Sequence, residues 1–165
     1  MIQKKICLLG ASSVGKTSLI RQFVDGIFSD RYLTTIGVKV DKKLVEIDGQ
    51  KVQFILWDIE GNDRYNLFQE RYLRGAAAYI IVVDQTRMSS LLDGMSIQAL
   101  ASKTVDCPSV LAINKSDLTS NLQLSEADLE SHKSQFDFCI NTSAKTGDNV
   151  EKMFSDLAKH FLGAK

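Results

Sequence analysis

Apolar and polar positions switch between two periods along this chain. Ile6-Cys7-Leu8-Leu9 is a short apolar run that stops at Gly10. Over residues 16–23 the period lengthens, and Leu19, Ile20 and Phe23 share one face of a predicted helix. Residues 26–37 carry Gly26, Ser29, Asp30 and Gly37 without a strong period, which predicts an exposed loop. Residues 38–47 are β-rich and largely alternating, Asp48-Gly49 follows, and residues 52–57 are β-rich again. Asp-Gly between two such runs is a hairpin signal. Residues 76–83 and Val110-Leu111-Ala112-Ile113 are apolar on both parities, as strands covered on both faces must be. Phe136-Asp137-Phe138-Cys139-Ile140 reads as a last strand. Helical patterns fill residues 66–74, 89–103, 125–134 and 149–162. Ser125-Glu126-Ala127-Asp128 has the form of a capping box, with Asp in place of the usual Glu or Gln.

The resulting order, β-α-β-β-α-β-α-β-α-β-α, predicts a three-layer α/β/α architecture. Its sheet is six-stranded and mostly parallel, with one antiparallel edge strand from the hairpin and about five helices. Ligands of such sheets bind at the carboxyl ends of the strands, so those ends are where chemistry is sought.

Composition narrows the class. A length of 165 residues fits one domain, 1–165, and a chain of about this size buries roughly 70% of its unfolded surface without staples. Lys+Arg and Asp+Glu are 20 each, so no global basic field exists to hold nucleic acid or an anionic membrane. The three cysteines, Cys7, Cys107 and Cys139, are odd in number and lack metal spacing, and they read as reduced core residues of a cytoplasmic protein. No apolar run reaches the ~18 residues of a membrane span. Phe161-Leu162-Gly163-Ala164-Lys165 carries no cysteine for prenylation, so the sequence shown does not support membrane attachment. Peripheral association is expected only through a missing tail or a partner.

Three stretches at predicted strand ends carry the chemistry. Gly10-Ala11-Ser12-Ser13-Val14-Gly15-Lys16-Thr17 fits G-x-x-x-x-G-K-[ST] between an apolar strand and a helix, the setting of a phosphate loop and the P-loop NTPase fold. Its glycines let backbone N–H groups face an anion, and the helix N-terminus adds partial positive charge. Lys16 is expected to reach the β- and γ-phosphates and the Thr17 hydroxyl to ligate Mg²⁺; Ser18 completes the set. Asp58-Ile59-Glu60-Gly61 follows the strand ending at Trp57. Asp58 is expected to meet Mg²⁺ through its water shell and the Gly61 N–H to meet a γ-phosphate. Asn114-Lys115-Ser116-Asp117 follows another apolar strand. Guanine presents N1–H and an exocyclic amine side by side, a donor pair that one carboxylate accepts and adenine lacks, which makes Asp117 the candidate for base selection. Lys115 is expected to pack along the base, Asn114 to tie this loop to the phosphate loop, and Ser143-Ala144-Lys145 to bring the Ala144 N–H to guanine O6.

These motifs, in this order and with this spacing, resemble those of the Ras-superfamily small GTPases over essentially the whole chain. Phe28-Ser29-Asp30-Arg31-Tyr32-Leu33-Thr34-Thr35-Ile36-Gly37-Val38 is most similar to the Rab branch. The resemblance implies that Thr35 is the switch I threonine, ligating Mg²⁺ and touching the γ-phosphate, and that Phe28 packs edge-on against guanine. It also implies an effector, an exchange factor and an activating protein that meet switch I (28–38) and switch II (59–72). GTP or GDP and Mg²⁺ are the implied cofactors, with Lys16, Thr35, Gly61 and Asn62 as the catalytic set.

The departures lie in switch II. Where the family reads W-D-T-A-G-Q-E, this chain has Trp57-Asp58-Ile59-Glu60-Gly61-Asn62-Asp63. Asn62 is one methylene shorter than the glutamine that orients the attacking water, and misplacement by about 1 Å costs roughly 100-fold in rate. Glu60 stands open to three readings: repelling the phosphate, positioning a water, or facing solvent. Ser12, where Ras has glycine and Rab proteins often have serine, need not block hydrolysis. Tyr65, Phe68 and Tyr72 recur at buried-stripe spacing and equally suit an effector-facing surface. Lys39, Lys42 and Lys43 read as a solvated edge strand. No arginine finger supplied in cis is evident: Arg31 and Arg64 lie in the switch loops, where the sequence alone does not place them. The leading expectation is a slow GTP-hydrolysing switch. A GTP-holding module with negligible turnover shares its site, and an ATP-dependent small kinase would need a different base pocket.

Overall fold

The computed structural model describes residues 2–26, 38–59, 70–118 and 122–163. Six strands form one sheet: β1 (Ile2–Leu9), β2 (Val38–Ile47), β3 (Gln50–Ile59), β4 (Ala76–Asp84), β5 (Ser109–Asn114) and β6 (Phe138–Asn141). Their spatial order is β2-β3-β1-β4-β5-β6. Only β2 and β3 pair antiparallel, with Ile47 opposite Gln50 across Asp48-Gly49; every other pairing is parallel. Both turn residues have positive φ, Asp48 at 49° and Gly49 at 81°, which is what a two-residue hairpin requires. Among the described residues there are four α-helices, α1 (Lys16–Asp25), α2 (Met88–Thr104), α3 (Glu126–Lys133) and α4 (Val150–Phe161), with a 3₁₀ turn over Glu70–Leu73. The fold read from the pattern is therefore the one observed.

The alternation of strand side chains builds two cores. Ile6 and Leu8 of β1, Phe54 of β3 and Ile80 and Val82 of β4 bury against Leu19 and Phe23 of α1 and Phe154 and Leu157 of α4. Cys7 and Leu9, with Tyr79, Ile81 and Val83, point the other way and bury against Leu91 and Ile97 of α2 and Leu129 of α3. Phe23 and Phe154 stack with centroids 3.9 Å apart, and Phe54 tilts against both.

Boundaries differ from the expected ones where side chains do something local. β1 starts four residues earlier than the apolar run, at Ile2. The Lys5 ammonium sits 3.7 Å from the Trp57 ring centroid and donates to the Arg74 carbonyl, so a charged residue is accommodated in a central strand. β6 begins at Phe138, because the Asp137 carboxylate accepts from the Ser109 N–H and Phe136 turns into the α3-side core. α3 has the expected capping box: the Asp128 N–H donates to Ser125 Oγ, and the Asp128 carboxylate accepts from the Ser125 N–H. Of the helix expected over 66–74, the part from residue 70 onward is described, and it is the 3₁₀ turn. Tyr72 packs there against Trp57, ring centroids 6.2 Å apart.

Candidate functional site

The loop between β1 and α1 is built around two close approaches. A Cβ on Gly10, at φ 144°, would lie 2.5 Å from the Val82 carbonyl oxygen; one on Gly15, at φ 107°, would lie 2.2 Å from Asn114 Nδ2. Ser13 between them takes a left-handed φ of 66°. α1 then begins with Gly15 as its N-cap and no side-chain cap.

Lys16 is buried, 6% exposed, and its Nζ reaches back over the loop to donate to the Ala11 carbonyl at 2.8 Å and the Gly10 carbonyl at 3.1 Å. Burial pushes its pKa down to about 8; Asp58 pulls it back up, and the charge of Arg87 adds to the depression. An ammonium held with so little water gains more from an arriving anion than a solvated one does. The Thr17 hydroxyl donates to Asp58 Oδ2 at 2.5 Å, so a hydroxyl and a carboxylate oxygen meet beside the loop.

The strand ends bring the second and third stretches to the same rim. Leu8 pairs with Asp58 and Asp84 with Asn114 in the sheet register. Asn114, 1% exposed, donates from Nδ2 to the Val14 carbonyl at 2.9 Å and accepts at Oδ1 from the Thr142 hydroxyl at 3.1 Å. Lys115 donates to the Ser13 carbonyl at 3.2 Å. Asp117 Oδ1 accepts from Ser143 Oγ at 2.7 Å, and the same Oγ accepts from the Thr146 N–H. The Ser143 carbonyl accepts from the Gly147 N–H at 2.9 Å. In a trans peptide the next N–H points opposite to that carbonyl, so the Ala144 N–H is directed away from this turn. Ala144 is buried and Lys145 exposed. The structure thus brings together Gly10, Ser12, Ser13, Val14, Gly15, Lys16, Thr17, Ser18, Asp58, Asn114, Lys115, Asp117, Ser143, Ala144 and Lys145. Phe28, Thr35, Glu60, Gly61 and Asn62 lie outside the described residues, as do Arg31, Arg64, Tyr65 and Phe68.

Three further residues join this rim that the motifs did not single out. Asp84, 1% exposed, forms ion pairs with Lys115 Nζ at 2.8 Å and Arg87 Nε at 3.3 Å and accepts from the Thr86 N–H and hydroxyl. Burial works against its ionisation, but the bonds from Lys115 and Thr86 outweigh that and hold its pKa below the usual value. Arg87 donates from Nη2 to the Ser12 carbonyl at 2.7 Å. Gln22 of α1 donates to the Ala144 carbonyl at 2.8 Å. Asp84 carried a legible signal: like Asn114, it is a polar residue closing an apolar strand.

A mostly parallel sheet, a glycine loop feeding a helix that begins Lys-Thr, and polar residues ending three strands define a P-loop nucleotide-binding protein with the motif order of a small GTPase. Residues 5–163 match the Ras family model. Over 159 residues the chain is 40% identical to Ras-related protein Rab-30 of Homo sapiens, an alignment covering 93% of this chain and 77% of that protein. Over 164 residues it is 33% identical to Ras-related protein RabJ of Dictyostelium discoideum, covering 98% of this chain and 64% of that one. The chain belongs to the Ras family of small GTPases and is Rab-like within it.

Proposed function

We propose that this chain is a guanine-nucleotide-binding switch that hydrolyses GTP to GDP with Mg²⁺, slowly in the absence of a partner. The observation that carries the reading is the joining of two loops 100 residues apart. Asn114 and Lys115 bond to the Val14 and Ser13 carbonyls, which places the Asp117 carboxylate at a fixed offset from the phosphate loop. A site selecting one purine needs that fixed offset, because base and phosphates belong to one rigidly proportioned ligand.

The residues fit the implied metal. Thr17 Oγ1 and Asp58 Oδ2 meet at 2.5 Å and are both hard oxygen donors. Thr17, Asp58 and, through the family resemblance, Thr35 would hold the ion. Bound there, Mg²⁺ would neutralise charge on the phosphates. The chain's own groups do the rest. Lys16 and the N–H groups of residues 13–17 stabilise charge on the phosphates as water attacks in line. Asn62 orients that water, and its side chain, one methylene shorter than the family's glutamine, supports a low intrinsic rate. Asp117 and the Ala144 N–H read the guanine edge, and Phe28 flanks it.

The γ-phosphate would order switch I (28–38) through Thr35 and switch II (59–72) through Gly61, and its loss would relax both. These segments are where an effector, an exchange factor and an activating protein would dock. Among the described residues no helix is long and apolar enough to cross a membrane.

Competition between GTP and ATP tests base selection: wild type prefers GTP, and Asp117→Asn loses that preference. Equal affinities in wild type would remove the guanine reading. Single-turnover hydrolysis tests the chemistry. A rate already fast without a partner, or one barely lowered by Asn62→Ala, contradicts the role given to Asn62. Glu60 and Asn62 also favour a second reading, a GTP-holding module without turnover. GTP recovered intact after prolonged incubation with Mg²⁺ would select it.

A further inference from the structure

Three successive carbonyls of the phosphate loop are held from outside it. Ser12 O accepts from Arg87, Ser13 O from Lys115 and Val14 O from Asn114, at 2.7, 3.2 and 2.9 Å. No described peptide bond is cis. Within a planar trans peptide the carbonyl and the following N–H point in opposite directions. Each external donor therefore sets one N–H: Arg87 that of Ser13, Lys115 that of Val14 and Asn114 that of Gly15. The left-handed turn at Ser13 lets neighbouring N–H groups converge into an anion-binding concavity. The loop's cradle is thus aimed by three side chains on the β4 and β5 ends, and two of them, Arg87 and Lys115, share the buried carboxylate of Asp84.

Asn114 and Lys115 belong to the base-reading motif; Arg87 and Asp84 belong to none. We propose that Arg87, oriented by Asp84, is a positioning residue of the nucleotide site: by fixing the Ser12 carbonyl it aims the Ser13 N–H at the bound phosphates. This rests on the guanine-nucleotide reading above. Arg87 also lies at the start of α2, and its carbonyl accepts from Ser90, so a role confined to that turn is the competing explanation. The guanidinium reaches across 75 positions of sequence to the phosphate loop, a contact the turn does not need.

The test combines release of a fluorescent GDP analogue with ³¹P spectra of bound GDP. The proteins are wild type, Arg87→Ala, Arg87→Lys, Asp84→Asn and the Arg87→Ala/Asp84→Asn pair. Arg87→Ala is expected to speed GDP release about tenfold, the loss of one charge-assisted hydrogen bond. It should also move the phosphorus resonances while leaving the preference for guanosine over adenosine nucleotides intact. Arg87→Lys keeps a cationic donor and should recover part of the loss. In the Asp84→Asn background, where the guanidinium has already lost its anchor, Arg87→Ala should add much less than in wild type. Wild-type release and unshifted phosphorus resonances in Arg87→Ala would overturn the proposal, as would equal effects of Arg87→Ala in both backgrounds. Failure of wild type itself to retain GDP would instead overturn the nucleotide reading, and the proposal with it.

Discussion

Gly15 sits where two constraints coincide, and replacing it with alanine separates them. At φ 107° an alanine backbone is strained by about 1–3 kcal/mol. Its Cβ would also lie 2.2 Å from Asn114 Nδ2, so the amide must move. Asn114 is buried, and moving it breaks the bonds to the Val14 carbonyl and from the Thr142 hydroxyl. Leaving such groups unpaired costs roughly 1–3 kcal/mol. The expected total is about 4 kcal/mol, or a fall in Tm of roughly 8–16 °C for a domain of this size. Urea unfolding of nucleotide-free protein measures it without folding a change in affinity into the result. The decisive comparison is Gly15→Ala in the Asn114→Ala background. There the clash is gone and only backbone strain remains, so the substitution should cost about 1–3 kcal/mol less than in wild type. The same cost in both backgrounds would refute the contact as the reason this position is glycine.

Other outcomes follow from individual residues. Lys16→Met removes a buried ammonium whose pKa is pushed down to about 8 from 10.5, a penalty of about 3 kcal/mol, and also loses two carbonyl contacts. Nucleotide-free protein should therefore be as stable as wild type or more so at pH 7, while GDP retention falls at least ~100-fold; a clear loss of stability contradicts the desolvation argument. Asp84 has its folded pKa lowered from 3.8, so its contribution to stability is present above that value and is lost as pH falls through the lowered one. The gap in urea midpoint between wild type and Asp84→Asn should narrow in acid, and a constant gap would argue against it. Phe23→Ala opens a hole between Phe154 and Phe54 and should cost about 3–5 kcal/mol in the same unfolding assay.

The layers and the mostly parallel sheet were legible because β4 and β5 are apolar on both parities, as strands of a sheet covered on both faces are, whereas the order of the strands was not read from the sequence. The glycine loop and the Asn114-Lys115-Ser116-Asp117 stretch were legible for a similar reason: their residue types are tied to one geometry. The first half of β1 was hidden because Lys4 and Lys5 look like solvent residues. In the fold their ammonium groups sit over the rings of Phe161 and Trp57, and that contact exists only after β1 has met β3 and α4. The Asp84–Arg87 pair was hidden differently. Arg87 reads locally as a turn residue before a helix, and nothing near it in sequence announces a carbonyl 75 positions away. Gln22 is the same case, a polar residue on a helix surface until the turn at Ala144 comes to rest beside it.

The strand that feeds the glycine loop has neighbours along both sides, β3 and β4, and two strands lie beyond it in one direction and three in the other. Amides in such a place are expected to exchange with solvent chiefly when the whole molecule comes apart, and those of the marginal strands β2 and β6 more readily. The floor of the pocket is thereby fastened to the least yielding part of the protein.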